Sequence, residues 1–207
     1  MKRKESPVYA ILLAAGESKR CPENKLFLPW GKTTVLQAAV ENLLQSRVDQ
    51  TAVILGYQAA KARDLLREMP CSPVTNENYR RGMGTSVIKG VSHWRRHPDL
   101  SAEAGFLLAL GDEPFIGREI IDKVISAWRN TEKGIVLPVF EGCRGHPAIF
   151  HRRYADEIIE VCRDVGAREV LKRHPEDILA VEIDTDAILL DIDTEEDYRK
   201  LCKRFNP

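Results

Sequence analysis

The sequence has neither a GxxxxGK[ST] segment nor a GxGxxG segment, so neither the P-loop nor the dinucleotide fingerprint is available as a phosphate site. It has no CxxC pair. Its five cysteines, Cys21, Cys71, Cys143, Cys162 and Cys202, are odd in number and scattered. That spacing argues against a zinc site or a disulfide framework and for a reducing cytoplasm. Neither sign of charge prevails. Thirty-one Lys and Arg meet 31 Asp and Glu, without the basic excess expected of a general nucleic-acid binder. No apolar run is long enough to span a bilayer, so no membrane partner is expected. The start, Met1-Lys2-Arg3-Lys4-Glu5, is basic, but the apolar run behind it is short and enters Gly16 and charges. It reads as a first strand and not as a signal peptide. No repeat, low-complexity stretch or linker interrupts the 207 residues, and one domain over residues 1–207, with a core at about 8–204, is expected.

Strand-like and helix-like segments alternate along the chain. Val8–Leu13, Thr51–Leu55 and Phe106–Leu110 are short apolar runs of the buried-strand kind, and Val74 lies in a further short strand. Helical spacing of apolar residues covers Val35–Leu44, Ala59–Met69, Thr85–Arg96 and Glu119–Trp128. Ile135–Phe140 and Ala148–Phe150 read as two strands joined by a turn at Gly142-Cys143-Arg144-Gly145. Helical stretches at Tyr154–Val161 and Ala167–Arg173 follow, then strand-like Ile178–Ile183 and Ile188–Ile192. A last helix starts at Thr194, with Asp197 at capping-box spacing. The alternation predicts an α/β fold with an open, mostly parallel, Rossmann-like sheet, helices on both faces and mixed strands in the C-terminal half. Ligands of such sheets bind at the carboxyl ends of the strands, so the loops after strands carry the functional reading.

The first such loop follows Leu13 as Ala14-Ala15-Gly16-Glu17-Ser18-Lys19-Arg20, with Lys25 five residues on. Almost no side chain stands on Ala14, Ala15 and Gly16, so backbone N–H groups can approach a polyphosphate. Arg20 and Lys25 can neutralise it, the one as a planar fork and the other as a point charge. The residues equally allow an ordinary turn with solvated cations. The loop after the third apolar run, Leu110-Gly111-Asp112-Glu113-Pro114, places Asp112 where Mg²⁺ can be held with substrate phosphates, or where it caps the next turn. A second acid is available in Asp191-Ile192-Asp193, with Asp193 the first choice as partner of Asp112 and Asp191 the second; in an extended stretch both point to one side. Glu195, Glu196 and Asp197 read as favourable charge in a first helical turn. In Asn76–Ser86, Gly82 and Gly84 permit unusual backbone angles, and Thr85 and Ser86 either contact a base or cap a helix. His146, between Gly145 and Pro147, is either a turn residue or a contact to an anionic or heterocyclic substrate.

Six segments, in order, resemble the nucleotidyltransferases that act on molybdopterin, the MobA-like NTP transferase family. Leu13–Lys25, LAAGESKRCPENK, resembles LAAGxSxRMGxxK, with Cys21-Pro22 in place of Met-Gly. Asn76, Gly82, Met83 and Ser86 match NPxxxxGMxxS, with Glu77 in place of Pro. Leu108–Pro114 resembles LxLGDxP, where the family often has Gln at the position of Glu113. Arg144–Pro147 matches RGHP. Asp164–Arg168 resembles GDxGAR, with Arg163 in place of its first Gly, and Asp191–Asp197 resembles DIDTPED.

The resemblance implies a nucleotide-diphospho-sugar-transferase-like fold and a Mg²⁺-dependent transfer from CTP to a molybdopterin-type molybdenum cofactor, with release of pyrophosphate. It implies that Leu13, Ala14, Ala15, Gly16, Ser18, Arg20, Lys25, Asn76, Gly82, Met83 and Ser86 bind the nucleotide. Arg20, Lys25 and Asp112 act in catalysis, Asp112 and Asp193 hold the metal, and Arg144 and His146 face the acceptor. CTP is expected over GTP because guanylyl-transferring relatives more often read LAGGxGxR in the first loop. Three other readings stay open: a guanylyltransferase, a sugar- or alcohol-phosphate nucleotidyltransferase, and a non-catalytic carrier that delivers the cofactor to a molybdenum hydroxylase.

Overall fold

The apolar runs built around Leu12 and Leu107 lie next to each other at the middle of one sheet. The computed structural model describes residues 6–205 apart from Lys19, Pro22, Asp99 and 163–166. The strands are β1 Val8–Ala14, β2 Pro29–Trp30, β3 Thr33–Thr34, β4 Gln50–Leu55, β5 Ser72–Thr75, β6 Gly105–Leu110, β7 Ile135–Phe140, β8 Cys143–Arg144, β9 Ala148–His151 and β10 Ile178–Glu182. The helices are α1 Val35–Leu44, α2 Ala59–Leu65, α3 Met83–Arg95, α4 Arg118–Arg129, α5 Ala155–Val161, α6 Arg168–Arg173 and α7 Glu195–Phe205. Among the described residues, eight strands form one sheet in the order β10-β7-β9-β6-β1-β4-β5, with β8 added to β7; β2 and β3 make a separate ribbon.

β1 pairs in parallel with β4 on one side and β6 on the other. The chain moves outward from β1 to β4 and β5, then returns across α3 to β6. Strand order therefore reverses beside β1, and the crevice at the carboxyl ends of β1 and β6 is the switch point where such sheets bind ligands. β9 runs antiparallel to both β6 and β7, and this is the mixed part expected for the second half.

Alternation along the central strands divides the interior in two. Val8, Ala10 and Leu12 join α1, α4 and α7 in one core. Tyr9 and Ile11 point the other way, against α3 and α5. Both faces are covered, so the strands read as continuous apolar runs. Trp94 of α3 is almost fully buried and still satisfies its indole, which donates to Ala10 O at 3.0 Å. α1 begins where the periodicity places it because Thr34 and Gln37 form a reciprocal capping box. The helix after Asp193 starts through Thr194, whose hydroxyl accepts from Asp197 N at 3.1 Å while Thr194 N donates to Asp197 Oδ2 at 2.9 Å. No helix among the described residues is long and apolar enough to cross a membrane.

Three expectations need correction. Ile188–Ile192 does not form a strand. Thr185 caps a 3-10 turn over Asp186–Leu189, which buries Ile188 inward, and residues 190–194 then cross the end of the sheet without joining it. The hairpin turn is tighter than Gly142–Gly145. Glu141 and Gly142 both have positive φ, as a two-residue type I′ loop demands, and Cys143–Arg144 is already the return strand. α2 stops at Leu65, four residues short of Met69, and irregular turns carry the chain on to β5.

Gly84 in the first turn of α3 shows how closely this layer packs. A Cβ built there would stand 2.0 Å from the Cys162 carbonyl oxygen behind α5. Gly84→Ala is therefore expected to destabilise the fold by about 1–3 kcal/mol, the usual cost of overpacking. The urea midpoint reads this directly, and a midpoint equal to wild type would refute the contact.

Candidate active site

The first loop is closed by its own polar side chains. Ser18, with φ of 52°, donates to Asn24 Oδ1 at 3.1 Å and accepts from Lys25 N at 3.2 Å. Asn24 caps the 3-10 turn Lys25–Phe27 by accepting from Leu26 N, and its amide donates to Gln58 Oε1 at 3.3 Å. These bonds fix the start of the Lys25 side chain. Ser18 thus acts through the loop's shape. Gly16 sits at the open lip, with no atom within 4 Å of where a Cβ would be, so no packing demand explains its small size.

Lys25 reaches across to β6. Its Nζ lies 2.5 Å from Asp112 Oδ2 and 3.4 Å from Asp193 Oδ1. Arg20 reaches the same Asp193 oxygen at 2.8 Å. Burial disfavours the Lys25 ammonium, but the two carboxylates outweigh it and hold the group above the usual lysine value. Asp112 is carried on the β6 end, which is docked on β1 by Gly111 N donating to Leu13 O at 2.9 Å. Asp193 arrives on the 190–194 crossing, where Ile192 N donates to Asp112 O at 3.4 Å. Partial burial, then repulsion from Asp193 and Asp112, raises the Asp191 carboxyl. The Cys21 thiol donates to Asp193 O at 3.5 Å.

The second loop forms the opposite wall. Asn76 is buried, donates to Thr85 Oγ1 at 2.9 Å and Ser86 Oγ at 3.0 Å, and accepts from Asn78 N. It holds the loop and does not itself line the cleft. Gly82 turns at φ of 109°, Met83 is 64% exposed at the rim, and Glu17 ties the two loops through Arg80 at 3.2 Å.

Leu13, Ala14, Ala15, Gly16, Ser18, Arg20, Lys25, Gly82, Met83, Ser86, Asp112, Asp191 and Asp193 thus border one cleft of about 510 Å³. A larger groove of about 1100 Å³ runs between β5 and α3, but it lacks the opposed Asp and Lys cluster of this cleft. Arg144 is exposed on β8 and outside the cleft lining. His146 is also outside it, bonded instead to Glu113, the neighbour of Asp112: Nδ1 and Oε1 are 3.1 Å apart. Burial pushes the Glu113 carboxyl up to about 7 despite that bond. Of Asp164–Arg168, 164–166 lie outside the described residues, as does Pro22, while Arg168 opens α6.

Reading the sequence missed Asn24, Gln58, Tyr79, Arg80 and the Glu113–His146 pair. Asn24 had a signal, an Asn directly before an apolar turn, which is a cap pattern. The others depend on contacts between distant segments.

Among the described residues, no three Asp, Glu, His or Cys side chains close on one point as a metal cage. The carboxylates of Asp112 and Asp193, which Lys25 bridges, form a donor set that suits Mg²⁺, which takes one or two carboxylates and completes its shell with water and substrate phosphates.

The MobA-like NTP transferase domain family matches residues 10–178. The molybdenum cofactor cytidylyltransferase of Escherichia coli (strain K12) is 29% identical over 203 residues, covering 97% of this chain and 98% of its own. The crystal structure of Rv0371c from Mycobacterium tuberculosis H37Rv superposes with a TM-score of 0.81 at 28% identity, over 96% of this chain and 98% of that one. The manganese complex of Rv0371c superposes with a TM-score of 0.72 at 26% identity, over 96% and 99%.

Proposed function

The chain belongs to the MobA-like NTP transferase family, and from that premise we propose that it transfers the cytidylyl group of CTP to a molybdopterin-type molybdenum cofactor. The chain is a nucleotidyltransferase. In the proposed reaction an oxygen of the acceptor's terminal phosphate bonds to the α-phosphorus of CTP. The bond from that phosphorus to the β-phosphate oxygen breaks, and pyrophosphate leaves. The acceptor phosphate is ionised at neutral pH, so no general base is needed. One domain, about residues 8–204, carries the reaction in the cytoplasm, and a molybdenum hydroxylase is the proposed recipient of the product.

One observation carries this reading: Lys25 and Arg20 stand against Asp112 and Asp193 at the carboxyl ends of β1 and β6. Phosphoryl transfer asks a protein for positioning and charge neutralisation more than covalent chemistry. Arg20, Lys25 and the backbone of Ala14–Gly16 would grip the triphosphate and neutralise departing pyrophosphate. Asn76 would shape the base side through its hold on Thr85 and Ser86. Asp112 and Asp193 are the residues that would hold Mg²⁺, whose chemistry here is charge neutralisation at the transferring group. The preference for CTP rests on Ala15 and Ser18 in the first loop and on the E. coli relative.

Pyrophosphate release tests the proposal. Purified protein with Mg²⁺ and molybdenum-loaded molybdopterin is expected to release pyrophosphate with CTP and not with GTP. Release with GTP alone would overturn the base assignment. No release with either would overturn cofactor transfer.

A further inference from the structure

The cleft chemistry leaves a buried carboxylate unused. Glu113 follows Asp112, yet its side chain turns away from the cleft, and only 5% of it is exposed. A carboxylate so placed needs a partner, since a buried charge without one is strongly disfavoured against its neutral form. The partner is His146, whose Nδ1 edge faces Glu113 Oε1 at 3.1 Å. The imidazole is more open than the acid, with 36% of the side chain exposed. The ring is therefore anchored at Nδ1 and partly open to solvent.

The backbone beneath the ring is also fixed. Gly145 N donates to Pro138 O at 3.0 Å, and His146 N donates to Ile188 O at 3.2 Å. The β8–β9 loop, the 3-10 turn at Asp186–Leu189 and the loop after β6 thus meet at one imidazole. Charges that act on it come from both sides. Asp112 favours its cationic form, and Arg168 at the start of α6 opposes it. Carboxylates that bind the Nδ1–H of a histidine elsewhere set the ring's orientation and leave Nε2 to meet a ligand.

We propose that Glu113 is a positioning residue: its carboxylate holds the His146 ring by Nδ1 so that Nε2 meets an anionic group of the acceptor substrate, beside the Asp112 end of the cleft. This rests on the acceptor assignment above. The position takes a hydrogen-bond acceptor more than a charge, and a glutamine there keeps an oxygen for Nδ1–H.

The test is equilibrium binding of molybdenum-loaded molybdopterin in the absence of nucleotide, so that turnover does not enter. Glu113→Ala and His146→Ala are each expected to weaken acceptor binding about tenfold. The double variant should bind no worse than His146→Ala alone, because residues that act as one unit are not additive. Glu113→Gln should stay within about threefold of wild type, and all four variants should bind CTP as wild type does. Additive losses, unchanged acceptor binding in Glu113→Ala, or an equal loss of CTP binding would each overturn the proposal. If wild type binds the acceptor but transfers no cytidylyl group, the reaction assignment fails while this result stands. If wild type does not bind the acceptor, both fail.

Discussion

Replacing Asp112 by Ala is expected to lower nucleotidyl transfer by about a thousandfold while the protein stays folded. Removing a single preorganised electrostatic group from a transfer site commonly costs a factor of about 10²–10³. Asp112 serves twice here, as a proposed metal ligand and as the nearest counter-charge of Lys25 at 2.5 Å. Its loss from the fold is tolerable. The pair is largely buried, but Lys25 keeps Asp193 at 3.4 Å, so the ammonium is not left unpaired and the loss should stay below the about 3–5 kcal/mol that breaking a fully buried pair costs. Initial rates of pyrophosphate release, with thermal unfolding beside them, separate the two effects. Turnover within tenfold of wild type that still responds to Mg²⁺ would remove Asp112 from the metal site. A collapsed unfolding transition would recast it as structural.

The parts of the fold that were legible are those where one physical rule decides. β1, β4 and β6 are flanked on both faces, so their residues are apolar apart from Gln50 and Thr51 at the start of β4, and the runs stand out against polar loops. α1 shows in the spacing of its apolar residues, and the Thr34–Gln37 capping box found in the fold fixes its start. The segment Ile188–Ile192 misled because Ile188 and Ile192 are as buried as strand residues, though no neighbouring strand accepts them. Burial without pairing looks the same in a sequence as burial with it. β2 and β3 are two residues each, too short for any alternation to show.

The candidate site divides along the same line. Gly16, Arg20, Lys25, Asp112 and Asp193 came from loop position and from resemblance, and the fold brings them to one cleft. Their pairing was not legible. A sequence names the cations and the acids, but only β1 lying against β6, with residues 190–194 crossing above, sets Lys25 between Asp112 and Asp193. Glu113 stands where the family often has Gln, and next to Asp112 in the sequence it brings a further carboxylate. In the fold that charge is directed at His146, 3.1 Å away, which alters what the substitution can do.

Lys25→Met should move two measurements in opposite directions. Catalysis should fall at least a hundredfold, because the triphosphate loses a cation at the point where charge develops on the leaving group. The affinity for free Mn²⁺, measured without nucleotide, should rise about tenfold. Lys25 is the cation that Asp112 and Asp193 share, and a divalent ion must compete with it for the same oxygens. At a few ångströms and an effective dielectric of about 20, such contacts are worth several kcal/mol before desolvation. The desolvation of the buried ammonium cancels most of that, which leaves a net of about 1–2 kcal/mol and hence about tenfold. Met keeps the length and apolar stem of Lys, so packing against the 3-10 turn is preserved. Arg20 remains on Asp193, which keeps the gain moderate. A nucleotide that draws Lys25 toward its phosphates would release the same carboxylates, so metal and nucleotide should bind with positive coupling in wild type and with little coupling in the variant. Mn²⁺ titration followed by the paramagnetic signal, with and without CTP, measures the affinity and the coupling, and initial rates of pyrophosphate release measure the loss of catalysis. Unchanged or weaker Mn²⁺ binding in Lys25→Met would show that the lysine does not compete for the metal's oxygens.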